Sequence, residues 1–583
     1  MRFRHASPSA SYLHCPGAEP LRYLTAGDAF QEAADRWPAR PAVHSLHQQK
    51  KITYGELLLQ ADALGCALRE AGLARGSRLG VWAHSCAEWL VVLAASARVG
   101  LIPSMRNQSL VFCIKKVGLK ALLIGEEVLG RDYYKVLNTV IPEIKDSKPG
   151  HLSSATFPDL KVVITCGSKE LPGMFSLDSL IKGYMNKSKS QASTYSAQVK
   201  PEDGCIIHFT SGTTGEPKAA LDSHFGVVNN SYLLGKRTTL HEGHNTICVQ
   251  VSTKVVLTPV NRYGRLVGIG VEEGGGVPLF HAFGTIISLM AAVRLGSTLV
   301  LPAATYSSAA NADSLFKERC TVIHGTPTMF VDLINTVRQR ALTPAVRVAL
   351  TAGAPCSPQL FRDIKTHLGI ESVKSLYGMT ETTAAVFQSL PGETEEQITQ
   401  TVGYIHDHLE LKVVDENNTV VPFGRPGELL VRGYSTMMGY WDEPEKTRQT
   451  IDPDGWLRTG DQFTLSEDGY GRVVGRLKDI VVRGGENIAP KEIEDLLNEH
   501  PSILESQVVG VPDERLGEEV CAVLRLQGGA KINLDDVKAF CSGRLAKYKV
   551  PRILYVVEDF PKTASGKIQK YKLREMIESG KLR

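Results

Sequence analysis

The sequence predicts an α/β protein: a large N-terminal domain of mixed, largely parallel sheets with helices, followed by a small α+β C-terminal domain. Three observations predict this. The chain has 583 residues, too many for one ordinary domain. Short apolar or β-branched runs alternate with helical stretches over most of its length. Near Gly475 the character of the sequence changes, with about a hundred residues still to come, enough for one small domain.

Taken in order, Thr53-Tyr-Gly-Glu56 reads as a capping box opening a helix whose apolar face is Leu57, Ala61, Leu64 and Leu68, and Gly72 stops it. Strands are expected at 79–82, 121–124, 161–165, 205–209, 298–301 and 348–351, separated by helical stretches in the βαβ rhythm of a largely parallel sheet. The charged stretch Gly475-Arg-Leu-Lys-Asp479 marks the boundary. Beyond it, Pro490 opens a helix running to Leu497, and strands follow at 507–511 and 520–526.

Composition narrows the partners. Sixty-six basic residues nearly balance 62 acidic ones, so the surface field of a nucleic-acid binder is not expected. The eleven cysteines are scattered from Cys15 to Cys541 with no C-x-x-C pair, which argues against zinc and against a disulfide framework, and fits a reducing compartment. The longest apolar runs, 89–97 and 286–293, end at Arg98 and Arg294, well short of the roughly 20 residues of a spanning helix, so no transmembrane segment is expected. Residues 1–24 read as an N-terminal tail. Its start is basic and serine-containing with no acid before Glu19, the composition of a mitochondrial targeting segment, with a plain basic tail and a cytoplasmic protein as the alternative.

One segment carries chemistry by its composition alone. Phe209-Thr-Ser-Gly-Thr-Thr-Gly-Glu-Pro-Lys218 follows an apolar strand and could wrap phosphate oxygens. Gly212 and Gly215 let backbone N–H groups turn inward, Thr210, Ser211, Thr213 and Thr214 add hydroxyl donors, Glu216 and Pro217 lead out, and Lys218 adds a cation. The Walker A spacing is absent. A polar surface turn is the plain alternative.

This segment resembles the signature of the adenylate-forming superfamily, which includes acyl-CoA synthetases and amino-acid adenylation domains. Further segments resemble the family's motifs in its order: Tyr377-Gly-Met-Thr-Glu381-Thr, Gly427-Glu-Leu-Leu-Val-Arg-Gly433, Trp456-Leu-Arg-Thr-Gly-Asp461, Gly475-Arg476-Leu-Lys478-Asp479 and Pro561-Lys-Thr-Ala-Ser-Gly-Lys567. The likeness covers roughly residues 25–575. Gly433-Tyr-Ser-Thr-Met-Met-Gly-Tyr-Trp441, Arg483-Gly-Gly-Glu-Asn-Ile488 and His324-Gly-Thr-Pro-Thr-Met-Phe330 look closest to a mitochondrial medium-chain member.

What the resemblance implies is a two-step reaction on ATP, Mg²⁺, coenzyme A and a small-molecule carboxylic acid, with no permanently bound cofactor. The order follows from leaving groups: a carboxylate would have to expel oxide, whereas an acyl-AMP expels a stabilised phosphate. Attack of carboxylate on the α-phosphate brings anion to anion, so cations and dipoles must meet the developing charge.

By resemblance Lys567 reaches the carboxylate and α-phosphate, and Glu381, beside Thr380, holds Mg²⁺. Asp461 accepts from the ribose hydroxyls, Arg476 contacts the same nucleotide, and Tyr377-Gly378 and Gly353-Ala354-Pro355 flank adenine. Residues 25–474 would form the AMP-binding domain, 475–480 a hinge pivoting at Lys478, and 481–583 a mobile lid bringing Gly484-Gly485 to the thiol path. His281, Gly325 and Thr326 would wall an acyl pocket, whose small and apolar neighbours suit an alkyl or aryl tail. Without the resemblance each of these residues is an ordinary surface charge, helix-end acid or packing residue.

Three departures from the family pattern stand out. Val251–Gly276 interrupts what the family shows as a continuous run into Pro278-Leu-Phe-His281, and its Val-Ser start matches an in-frame intron donor, so it reads as retained intron sequence. Residues 103–112 look shortened. Ala219 stands where the phosphate loop ends in glycine, so its Cβ would crowd the nucleotide if the backbone needs glycine's angles. These departures favour an inactive relative that binds nucleotide or acyl ligand, and an amino-acid adenylating enzyme is a further alternative.

Overall fold

The computed structural model describes residues 10–582 apart from 106–109, 129, 131, 187, 211–216, 244, 250–278, 341–345, 353–355, 485 and 563–567. The expected insertion therefore lies outside the described residues, as does the centre of the shortened 103–112 segment.

The expected strands form where the apolar runs place them, at Arg78–Trp82, Ala121–Ile124, Val162–Thr165, Gly204–Phe209, Thr298–Leu301 and Val348–Thr351. Among the described residues they fall into two sheets of eight and nine strands. Ala121–Ile124 is buried at every residue, as expected of a parallel strand covered on both faces. The helix Tyr54–Glu70 opens with both halves of its Thr53/Glu56 capping box in place, and Gly72 follows its end at φ +93°.

Between the sheets lies a helical layer. Helix Glu88–Val99 is buried all round, and its side chains share one core with residues of both sheets. Arg98, which ends the apolar run, is itself buried and bonds Asp62 at 2.7 and 3.3 Å. The second run lies in the buried π-helix Phe283–Met290 and the helix Ala291–Leu295, where Arg294 reaches Glu32 at 2.9 Å. No helix among the described residues is long and apolar enough to cross a membrane.

A third sheet, of five antiparallel strands, was not anticipated. Its strands alternate in the manner of a half-exposed sheet: Leu457–Leu465 buries Leu457, Thr459, Asp461, Phe463 and Leu465 on one face. Its edge strand is Tyr12–Cys15, paired with Leu409–Val414, and Tyr12 Oη donates to Glu410 at 2.6 Å. The stretch expected to be a tail is thus folded from residue 10 onward.

The chain leaves this sheet after Gly471–Arg476, makes a short turn at Leu477–Asp479, and enters another sheet at Val481–Arg483. There the expected helix Pro490–Leu497 packs with Leu534–Cys541 on one face of the hairpin Ile503–Asp513/Gly517–Leu526, and Lys570–Glu578 packs on the other. A large lobe and a small α+β lobe result, with a cleft of about 1280 Å³ lined from both.

Candidate active site

Strands Gly204–Phe209 and Ala219–Ser223 form an antiparallel hairpin that delivers Thr210 and Lys218 to the cleft, and Thr210 N–H donates to the Lys218 carbonyl at 2.8 Å. Ser211, Gly212, Thr213, Thr214, Gly215 and Glu216 lie outside the described residues, and Pro217 and Lys218 lead back into the sheet. The Lys218 ammonium sits 4.6 Å from the centroid of the Tyr440 ring and 3.5 Å from its hydroxyl. Ala219 is a correction. It is a regular strand residue paired with Phe209, its φ is not positive, and its methyl is buried in the core, so the position needs none of glycine's angles.

Tyr377-Gly-Met-Thr-Glu381 runs from the end of strand Ser372–Tyr377 into the single turn Thr380–Thr382. Gly378 is required by space: a Cβ there would lie 2.0 Å from the Ala384 carbonyl oxygen. Thr380 and Glu381 are both buried yet line the cleft. Tyr440 donates its hydroxyl to Glu381 Oε1 at 2.8 Å, and burial together with this carboxylate raises the phenol's pKa. The two residues after the turn, Thr383 and Ala384, adopt φ of +47° and +83°, a strained conformation of the kind that clusters at functional sites.

Asp461 owes its position to strand alternation, which turns it onto the buried face, and to register, which sets it directly opposite Arg476. Arg476 Nε lies 3.0 Å from Asp461 Oδ1, and Tyr377 Oη donates to Oδ2 at 2.7 Å. Burial and Asp461 raise the Tyr377 phenol well above its ordinary pKa. The Tyr377 ring packs against Phe463 and Phe387 at centroid distances of 5.3 and 6.1 Å, so it is anchored in a cluster as well as facing the cleft. Gly353, Ala354 and Pro355 lie outside the described residues, while their neighbours Ala352 and Cys356 line the cleft.

Cations arrive from the connector. Lys478 has its ammonium pKa lowered by desolvation and by Arg476, with Lys218 acting in the same direction. Lys218, Arg476 and Lys478 all line the cleft, a setting for phosphate, with Asp461 and Asp479 beside them. Gly484, at φ +59°, turns the Val481–Arg483/Glu486–Ile488 hairpin, and Gly485 lies outside the described residues.

Lys567 also lies outside them. The described residues on either side of 563–567, Lys562 and Ile568, form a β-bridge, and Ile568 lines the cleft. Just beyond, the Lys570 ammonium lies 2.5 Å from buried Glu494, which also accepts from Val508 N–H at 2.8 Å.

The apolar wall comes from the π-helix and from helix Pro327–Arg340: Phe283, Ile287, Pro327, Val331 and Ile334, with His281 at the rim accepting the Phe283 N–H at 3.2 Å. Gly325 and Thr326 are set further back. Gly325 ends strand Val322–Gly325 opposite Thr351, Thr326 is buried, and the next two residues, Pro327 and Thr328, face the cleft instead. Sequence reasoning missed Tyr440. The signal was the Gly439-Tyr-Trp run, which the pairing of Leu221 with Gly439 brings beside Lys218.

Among the described residues no cluster of three or more His, Cys, Asp or Glu could hold a metal. Buried, cleft-lining Glu381 is nevertheless a hard oxygen donor of the kind Mg²⁺ uses when phosphates supply most of its ligands.

The fold and the paired-lobe cleft define a class. The model of the AMP-binding enzyme family matches residues 30–441, and that of the AMP-binding enzyme C-terminal domain matches residues 492–567. The chain belongs to the AMP-binding enzyme family and is an acyl-CoA ligase, using ATP, Mg²⁺ and coenzyme A. It is 37% identical to the protein named medium-chain acyl-CoA ligase ACSF2, mitochondrial, of Danio rerio, over 98% of this chain and 91% of that one. The Homo sapiens protein of the same name is 36% identical over 97% of this chain and 90% of its own length. Among solved structures, the anthranilate CoA ligase AuaEII in complex with anthranoyl-AMP superposes with a TM-score of 0.80 at 23% identity, covering 97% of this chain and 99% of that one, a likeness of fold alone.

Proposed function

We propose that this ligase activates a medium-chain fatty acid to its acyl-AMP and passes the acyl group to coenzyme A. The observation that carries the reading is the joint presence, around one cleft, of the cations Lys218, Arg476 and Lys478, the buried carboxylates Glu381 and Asp461, and an apolar wall. Relatives named medium-chain ligases over nearly the whole chain support the chain length.

In this reading the fatty carboxylate attacks the α-phosphorus, the bond from that phosphorus to the α,β-bridging oxygen breaks, and pyrophosphate, made of the β- and γ-phosphates, leaves. Lys218 and Lys567 meet the charge that develops, and Thr380 with the 210–218 loop surrounds the phosphates. Glu381 would hold Mg²⁺, whose charge would neutralise that of the departing pyrophosphate. Asp461 accepts from the ribose hydroxyls, oriented by Tyr377 and Arg476, and Tyr377-Gly378 with Gly353-Ala354-Pro355 flanks the base. His281, Phe283 and Ile287 exclude water from the acyl chain.

For the second step the small lobe turns about Lys478, bringing Gly484-Gly485 beside the thiol. Its sulfur attacks the acyl carbon and expels AMP. The hinge 475–480, with the AMP-binding domain at 25–474 and the lid at 481–583, is part of this proposal.

A mitochondrial location is proposed with it, on the names of the relatives and the basic N-terminus. Imaging the full chain with a C-terminal fluorescent tag tests that, a diffuse cytoplasmic signal rejecting it.

The assay for function is acid-dependent pyrophosphate release over a panel of carboxylates, with and without coenzyme A. Thioester formation best with acids of intermediate length is expected. Turnover only with amino acids, or ATP binding without release, would instead favour the amino-acid adenylating or the inactive reading.

A further inference from the structure

His208 and Asp222 are both fully buried and take no direct part in the chemistry above, yet they touch two elements that do. His208 lies on one strand of the hairpin and Asp222 on the other, with Nδ1 3.1 Å from Asp222 Oδ2. The second carboxylate oxygen, Oδ1, accepts the Thr383 hydroxyl at 3.1 Å. On the far side, His208 Nε2 lies 3.3 Å from Thr285 Oγ1.

Proton counting fixes this chain of bonds. Thr285 has one hydroxyl hydrogen, and its oxygen stands 2.6 Å from the Leu279 carbonyl, which can only accept. The hydrogen is therefore spent there, and His208 Nε2 must donate. Nδ1 faces Asp222 Oδ2, so the bonds run without a break from Thr285 through His208 and Asp222 to Thr383.

The two ends are not arbitrary. Thr383 is a β-branched residue in the left-handed conformation, two positions after Glu381, where it persists only if its surroundings hold it. Thr285 lies in the first turn of the π-helix that carries Phe283 and Ile287 into the cleft, next to His281. A buried charged pair adds little net stability over an apolar core, and its better-attested use is to specify one arrangement.

We propose that His208 and Asp222 are positioning residues. One arm, through Thr383, sets the turn that presents Glu381, and the other, through Thr285, sets the acyl-wall helix. The proposal rests on the assignment of Glu381 to the metal and of the π-helix to the acyl chain, and the test separates the two.

The variants are Thr383→Val and Thr285→Val, each with its serine counterpart as hydroxyl rescue. Three readouts are taken: Mn²⁺ affinity by electron paramagnetic resonance with a non-hydrolysable ATP analogue, KM for the acid, and amide-hydrogen exchange across 380–385. Thr383→Val is expected to weaken Mn²⁺ binding by about fivefold or more and to speed exchange, leaving the acid KM within about twofold. Thr285→Val is expected to raise the acid KM by about fivefold or more with Mn²⁺ affinity kept, and each serine variant to restore its arm.

Parameters unchanged in both folded valine variants, or moved alike in both, would overturn the proposal. Glu381→Gln is run alongside. If it keeps Mn²⁺ affinity, the metal assignment fails, and exchange across 380–385 in Thr383→Val then decides the positioning role alone. If Glu381→Gln loses affinity and Thr383→Val does not, the positioning role fails and the metal assignment stands.

Discussion

The two walls of the cleft are built differently. On the large lobe, Glu381, Asp461 and Tyr377 are held by partners at 2.7–3.0 Å from separate strands, and Glu381 and Asp461 are buried. On the connector, by contrast, Lys478 lies exposed at the cleft. Leu477 and Val482, on either side of Lys478 and Asp479, leave 43% and 49% of their surface in solvent, unusual for large apolar residues. The large-lobe wall is preorganised, as charge stabilisation requires, whereas the connector leaves apolar surface in solvent, which the proposed turn of the small lobe would cover.

The largest effect should come from the small-lobe side. Lys567→Ala is expected to lower adenylation by about a hundredfold or more, on the order of 3–4 kcal/mol of transition-state stabilisation, without a change in melting temperature. ATP–pyrophosphate exchange measures it, and near wild-type exchange would remove the lysine from the mechanism. Lys478→Pro should separate the walls. Adenylation stays within about threefold while thioester formation falls by more than about tenfold, and equal loss of both steps in single-turnover assays would show that the connector does not swing.

On the preorganised wall, changes should cost stability as well as rate. Gly378→Ala drives a methyl into the Ala384 carbonyl and is expected to destabilise the large lobe by about 2–3 kcal/mol, read as a lower denaturation midpoint. A midpoint equal to that of the parent would mean the turn is looser than its geometry. The smallest effect is Tyr377→Phe, which removes one donor to Asp461 and leaves Arg476. A loss of about 1–2 kcal/mol in ATP binding, with kcat nearly kept, is expected from calorimetry and steady-state kinetics.

What could be read in advance divides along the same line. Signals local in sequence were legible: the Thr53/Glu56 box, the runs at 121–124 and 298–301, and Pro490 opening its helix all encode structure within a few residues. Pairings distant in sequence were not. Tyr12–Cys15 is too short to show a period, and its partner strand is nearly 400 residues away. Asp461 was recognisable by motif, but its burial follows from the Leu-Arg-Thr-Gly-Asp-Gln-Phe alternation, and its bond to Tyr377 from two sheets meeting. His208 and Asp222 carried no signal, since a histidine and an aspartate fourteen residues apart meet only once the hairpin register is known. Gly325 and Thr326 missed the cleft by two positions because a strand end fixes which residue of the following turn emerges.

Arg476 is the final residue of its strand, and the chain departs from it toward the other lobe. The guanidinium that grips Asp461 thus stands at the root of the connector that, in the proposed mechanism, swings. If Asp461 takes the ribose and the small lobe turns as proposed, a nucleotide competing for that carboxylate would tug on the root of the arm itself, linking the filling of the sugar subsite to the turn of the lid with no relay of intervening side chains.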